Sequence, residues 1–192
     1  MSNTKHLQRY KQEKEILIVE IAVRNSRQLF NERDPAPFRE RDLDQQFVTY
    51  VLSAIEEFPL RTKMKMRIIS SDRQDTISEN AIIIKEAIKS YFLYESKLAK
   101  SNLRKRLRTA HIFSLIGVFV LFVCLSLAQF IKSIKGPAGM MEILSVGLVI
   151  LGWVAMWHPI EALLYDWWPI REQRLYFEKI AGLNVEVVSA TN

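Results

Sequence analysis

Cysteine and glycine are scarce in this 192-residue chain, with one and six respectively. A lone cysteine, Cys124, excludes a disulfide framework and a cysteine-based metal site. It lies within an apolar run, where it reads as a small packing residue. The glycines form no Gly-x-Gly, and no Gly-rich phosphate loop, Gly-x-Ser-x-Gly elbow or His-Glu-x-x-His helix occurs. Histidine is limited to His6, His111 and His158, too few for a metal centre of three or four imidazoles and acids gathered by sequence. No cofactor is therefore expected. The first residues, MSNTKHLQRYKQEKE, lack an apolar core, so a cleaved leader is not expected.

Charge is also missing, but only in places. From Ile112 to Ile131 no Asp, Glu, Lys or Arg occurs, and from Ile143 to Ile160 only His158 interrupts the apolar run. A helix of about 20 residues is about 30 Å long, which matches the hydrocarbon thickness of a bilayer. Two spans are expected, about 112–131 and 141–163. Lys132 to Gly139 joins them through Gly136-Pro137, a turn signal, so the spans form an antiparallel hairpin. Arg104-Lys105-Arg106-Leu107-Arg108 precedes the first span, and Arg171, Arg174 and Lys179 follow the second. The connection holds only Lys132 and Lys135. The positive-inside bias then places both termini in the cytoplasm. The net charge of +6 gathers beside the membrane, where anionic headgroups would attract it; the basic runs do not read as nucleic-acid motifs.

The remaining residues predict a small cytoplasmic α/β domain in an α+β membrane protein. Residues 1–15 read as a flexible polar arm, residues 16–110 as the domain with a basic neck, residues 111–168 as the transmembrane hairpin, and residues 169–192 as a cytoplasmic segment rejoining the domain. Residues 16–23, ILIVEIAV, are rich in β-branched side chains and predict a strand. Asp34-Pro35-Ala36-Pro37 keeps the following loop extended. Asp42, with Gln45 three positions on, predicts a helix start, and Pro59 its end. Residues 63–70 predict a second strand. Asp75 and Ser78 are capping candidates for a long helix with Ile84, Ala87, Ile88, Tyr91, Tyr94, Glu95 and Leu98 along one side. The order is strand-helix-strand-helix, and two strands alone make a poor sheet. A third strand is expected from Asn184 to Ser189, in preference to pairing with a second subunit. The long helix either continues into the first span or bends near Ser101-Asn102.

Two regions carry candidate function. The first is the neck: Trp153, Trp157, His158, Glu161, Tyr165, Asp166, Trp167 and Trp168 on the second span, with Arg104, Arg106 and Arg108 on the first. Pairing position n with about 271 minus n sets Asp166 beside Arg104–Arg106 and Glu161 near Arg108 and His111. Trp153, Trp157, Glu161 and Tyr165 recur every fourth residue and share a helix face. The four tryptophans extend too far along the axis for one interfacial belt, so part of this face is expected to pack on protein, with Trp167 and Trp168 meeting the domain or the basic neck. His158 and Glu161 stand at i and i+3 and could share a proton or an ion. The second region is the loop Asp34 to Asp44, where Arg39 and Arg41 could grip phosphate or carboxylate and Asp34 and Asp42 supply acids.

The loop Pro35-Ala36-Pro37-Phe38-Arg39-Glu40-Arg41-Asp42-Leu43-Asp44, with Gly152-Trp153-Val154-Ala155-Met156-Trp157 and Tyr165-Asp166-Trp167-Trp168-Pro169, resembles a family of small bacterial two-span membrane proteins. The resemblance covers about residues 16–188. It implies a bacterial inner-membrane location and carries no activity across. The reading that follows is a non-enzymatic, oligomeric interaction or scaffold protein. It would partner anionic lipid, a second copy or another membrane protein. Small residues at Ser114, Gly117, Cys124, Ala128, Gly147, Gly152 and Ala155 offer close helix contacts. The alternatives are a membrane enzyme using Glu161, His158 or Asp166 near the headgroups, and an oligomeric channel or transport subunit.

Overall fold

The computed structural model describes residues 10–13, 16–36, 41–134 and 138–190. Strands β1 (Lys11–Glu13), β2 (Ile16–Val23), β3 (Met64–Ser70) and β4 (Asn184–Ser189) form one sheet in the order β1-β2-β3-β4. The helices are α1 (Gln45–Glu56), α2 (Ser78–Ser133), α3 (Ala138–Leu164) and α4 (Trp168–Ala181). The chain is thus α+β, with two helices long and apolar enough to cross a membrane. It divides into two units, residues 1–98 with 173–192, and residues 99–172.

In the first unit β2, β3 and β4 run parallel and β1 joins antiparallel. The third strand expected at Asn184 to Ser189 is present with those bounds. A fourth was not expected: Lys11–Glu13, read as part of a flexible arm, pairs with Ile16–Ile18. Its three polar residues hide no apolar signal, because an edge strand that buries nothing needs none. Parallel neighbours in chain order, linked by crossovers of the usual hand, place their connections over one face. That face is apolar. Leu17, Val19, Ile21, Met64, Met66, Ile68 and Val185 are buried on it. The helices bury Val51 and Ile55 from α1, Ile84, Ile88 and Phe92 from α2, and Phe177 and Ile180 from α4. Phe92 and Phe177 meet at 6.1 Å between ring centroids.

Three local expectations are corrected. The cap of α1 is Asp44, not Asp42: its carboxylate accepts from the N–H groups of Gln46 and Phe47. Asp42 instead donates its own N–H to Asp34 Oδ2 at 2.7 Å. Asp75 does not cap the long helix. It is buried, and its Oδ2 accepts from Ser70 Oγ at 2.6 Å and Ser26 N at 2.7 Å, tying the end of β3 to the turn after β2. The buried side of α2 follows Ile84, Ala87, Ile88, Phe92, Ser96 and Ala99, which leaves Tyr94 and Leu98 exposed. Phe92, fully buried against Phe177, fills the core in place of Tyr94. Ser101-Asn102 causes no break in α2.

In the second unit the end of α2 and all of α3 lie antiparallel. The buried and half-buried positions of this part of α2 include the series Leu107, Ala110, Ser114, Gly117, Leu121, Cys124, Ala128 and Ile131, with Leu103 and Val120 half-buried beside it. On α3 they include Met141, Ser145, Leu148, Gly152, Ala155, Pro159 and Ala162. Both series alternate steps of three and four residues, the 3.5-residue repeat of a left-handed helix pair. Most seam residues are small, so the backbones approach closely. A Cβ on Gly152 would stand 2.9 Å from Leu121 Cδ1 and 3.1 Å from Cys124 Cβ; on Gly117 it would stand 3.0 Å from Met156 Sδ. Of the small residues singled out in the sequence, only Gly147 faces open space. The Gly136-Pro137 turn lies outside the described residues.

Candidate functional site

The neck forms where the hairpin seam runs out of apolar residues. Asp166 continues the α3 seam series, at the turn after the helix, and Arg106 reaches it from α2, with Nη2 3.4 Å from Oδ2. This is the ion pair expected from the register. Phe113 and His158, a pair the sequence reading did not name but whose numbers also sum to about 271, meet edge to face at 6.4 Å. Glu161 departs from expectation: it is exposed and makes no ion pair among the described residues. His111 does not reach it, because its Nδ1–H donates to Leu107 O, one turn back, at 2.7 Å. Arg104 and Arg108 are exposed beside Arg106. His158 and Glu161 are not joined by a third ligand; among the described residues no group of three His, Cys, Asp or Glu side chains is placed to hold a metal.

The aromatic face is turned outward. Trp153 and Trp157 are 63% and 74% exposed, and Tyr165 is 68% exposed, so the other hairpin helix does not cover this face. Trp167 is half-buried and differently held. Its Nε1–H donates to Leu163 O at 2.9 Å, the Arg171 guanidinium lies 5.7 Å from its ring centre, and Trp168 packs beside it at 5.7 Å. Within this unit the cation against Trp167 is Arg171 of α4, not a residue of the Arg104–Arg108 run. A cation over an indole face is favourable by about 0.5–1 kcal/mol at exposed sites.

In the first unit the Asp34 loop is organised by Asp34 itself. Its two carboxylate oxygens accept from the N–H groups of Asp42 and Ala36, and these bonds hold its carboxyl below the usual range. Arg41 Nε donates to Ala36 O at 3.4 Å. Arg39 lies outside the described residues. Arg41 and Asp42 line an open cleft of about 460 Å³ with Glu86, Ser90, Tyr91 and Tyr94 of α2. Next to it, burial and the Asp42 charge push the Glu95 carboxyl up, and burial with the Glu95 charge does the same to the Tyr91 phenol. The loop and the long helix therefore share one acidic, tyrosine-walled depression, which the sequence did not connect.

The densest polar cluster is one the sequence reading missed. On the face of the sheet away from the helices, Lys65 Nζ lies 2.8 Å from Glu13 and 3.2 Å from Glu186. Arg67 contacts Glu13 at 3.1 Å, Glu20 at 3.3 Å and Glu186 at 3.1 Å, and Lys11 pairs with Glu20 at 2.9 Å. Lys65 first, then Arg67, hold the Glu13 carboxyl below its ordinary value. Burial acts against the Glu186 charge, but the same two cations outweigh it and lower its pKa as well. A signal was present: β3 carries Lys65 and Arg67 at alternate positions, β2 and β4 carry one carboxylate each, and the strand period of two sets them on one face. Glu20, Arg67 and Glu186 are direct neighbours in register across β2, β3 and β4. Three cations balance three carboxylates here, which makes the cluster a stabilised surface and not a collector of ions. No family model matches the chain, and neither a curated protein nor a solved structure is significantly similar to it.

Proposed function

We propose that this chain is a two-span protein of the bacterial inner membrane, with both termini in the cytoplasm. In this reading it serves as a non-enzymatic oligomeric interaction protein. The observation that carries the membrane reading is the outer surface of the hairpin. The most apolar windows of its two helices have mean hydropathies of 2.5 and 1.9, yet only 17% and 11% of them is buried. Exposed Leu115, Phe119, Phe122, Ile143 and Val154 would each favour an apolar solvent by about 1.5–3 kcal/mol when fully buried. A helix of a water-soluble core would turn such residues inward. The orientation rests on the basic residues Arg104, Lys105, Arg106 and Arg108 before the first span and Arg171, Arg174 and Lys179 after the second, against Lys132 and Lys135 between them.

The interaction reading is supported by how the polar groups are used. The neck pair, the Asp34 clamp and the sheet cluster all have structural partners, while the protein presents outward faces to its surroundings. Topology is tested by labelling single cysteines in a Cys124→Ala background with a membrane-impermeant maleimide. Lys132→Cys should label from outside intact cells and Thr109→Cys should not. Recovery of the protein in the soluble fraction, or external labelling at residue 109, would overturn the placement. Mass measurement of the detergent-purified full chain tests the rest: more than one chain per particle is expected, and a monomer defeats the oligomeric reading.

A further inference from the structure

The two edges of the sheet are treated differently. At one end β1 is short, exposed and polar, Lys11-Gln12-Glu13, and so is shielded against pairing with another strand. At the other end β4 is six residues long, reads Asn184-Val185-Glu186-Val187-Val188-Ser189, and holds neither lysine nor proline. The Ala190 N–H donates to Ser70 O at 2.7 Å, toward β3. Main-chain groups alternate along a strand, so those of Asn184, Glu186 and Val188 also face β3. Those of Val185, Val187 and Ser189 face outward. Among the described residues these outward groups have no hydrogen-bond partner. The one charged side chain of β4 is already engaged, since Glu186 is held by Lys65 and Arg67.

We propose that β4 is a dimerisation edge, which pairs antiparallel with β4 of a second copy about a two-fold axis at Val187. This rests on the oligomeric reading above and names its surface. The register follows from the geometry. A hydrogen-bonded antiparallel pair needs outward main-chain groups on both strands. Centring on Val187 sets Val187 against Val187 and Val185 against Ser189, and all of these face outward. The same register keeps side chains in phase: Val185, Val187 and Ser189 stay on the helix side in both copies. On the open face Glu186 falls opposite Val188, so the two carboxylates are not directly apposed, and each keeps its own cations. Apposed like charges would disfavour the pairing. The strand is therefore self-complementary in hydrogen bonding, in facing and in charge, which selects a second copy over an unrelated strand.

Proline at Val187 removes an outward donor and leaves the β3 ladder intact, as edge strands tolerate. The full-length protein in detergent should have the mass of a dimer, and Val187→Pro should have that of a monomer with an unchanged circular dichroism spectrum. In a Cys124→Ala background, Val187→Cys should be joined to its two-fold mate by a short bismaleimide. Ser189→Cys should not, because its mate is displaced by four residues, about 13 Å. A wild-type monomer overturns both this proposal and the oligomeric reading. A wild-type oligomer that survives Val187→Pro, with crosslinking at 187 no greater than at 189, overturns the β4 edge alone and leaves the oligomeric reading standing.

Discussion

The sheet domain hides its apolar residues and the hairpin displays them. Both are built from the same helix in part, since α2 passes from one unit to the other. In the domain, Ile84, Ile88 and Phe92 are buried by 99% or more. Further along the helix, Phe119 and Phe122 are each 67% exposed, and the buried positions are taken by Ala110, Gly117, Cys124 and Ala128. Large residues inside and polar ones outside is the arrangement water selects. Small residues inside and large apolar ones outside is the arrangement lipid selects, because burying a leucine against protein gains little over leaving it in hydrocarbon. On the membrane placement proposed above, the reversal along one helix records two solvents. It also separates two sources of stability, the hydrophobic effect in the domain and close backbone contact in the hairpin.

The comparison is broken most directly by shortening one phenylalanine in each region. Phe92→Ala should destabilise the domain by about 3–5 kcal/mol, since the side chain is fully enclosed and contacts Phe177. Phe122→Ala should change stability by less than about 0.5 kcal/mol in a lipid-like micelle, as surface substitutions do. Denaturant titration followed by circular dichroism in detergent compares the two. A loss at Phe122 equal to that at Phe92 would mean that the outer hairpin face is packed on protein.

A second pair of substitutions sharpens the account of the hairpin. Gly152→Leu forces a side chain into Leu121 and Cys124 of the facing helix, and overpacking of this kind costs about 1–3 kcal/mol. Gly147→Leu enters open space five residues earlier and should be tolerated. Resistance of the hairpin to unfolding by sodium dodecyl sulfate, read by tryptophan fluorescence, distinguishes them. Equal sensitivity at both positions would place Gly147 in a close contact with another chain.

How legible these features were depends on the length over which a pattern repeats. The hairpin was readable because two long uncharged runs and a turn leave few alternatives, and its register followed within about one residue, as Arg106–Asp166 and Phe113–His158 show. Strand β2 was readable from its β-branched run, and β3 and β4 from the alternation in their short segments. Strand β1 was not, since Lys11-Gln12-Glu13 bears no hydrophobic mark and its pairing is specified by β2 alone. The cap at Asp44 was displaced by two residues to Asp42 because both acids fit a helix start. Only the bridge between Phe30 and Leu43 and the Asp34 clamp decide which one is free to cap. Candidate function fared unevenly for the same reason. Asp166 has its predicted partner, whereas Glu161 points outward, since a small change in helix rotation separates a seam position from a surface one. The sheet cluster was missed because its members lie in four separate strands, and no local window contains both a cation and its carboxylates.

The weakest test concerns that cluster, the charged surface on the side of the sheet away from its helices. Glu13 and Glu186 have folded pKa values below the ordinary carboxylate value, with Lys65 and Arg67 as the stabilising partners. A carboxyl depressed in the folded state binds fewer protons there than in the unfolded chain. Its stabilising contribution is therefore complete above the unfolded value of about 4.3 and is lost as pH falls through the lower folded values. The melting temperature of the domain transition should fall on acidification below about pH 5, and Arg67→Met should make that fall shallower. The change should be smaller than that of either pair above, because the cluster is in contact with solvent and such ion pairs are screened. Added salt should reduce the difference between wild type and Arg67→Met at neutral pH. The Arg106–Asp166 pair of the hairpin supplies the contrast. It is a single exposed contact, so Asp166→Asn should leave the acid limb of the domain transition unchanged. An acid limb that is the same in Arg67→Met as in wild type would remove the cluster from the domain's stability, and with it one of the physical distinctions between the two regions.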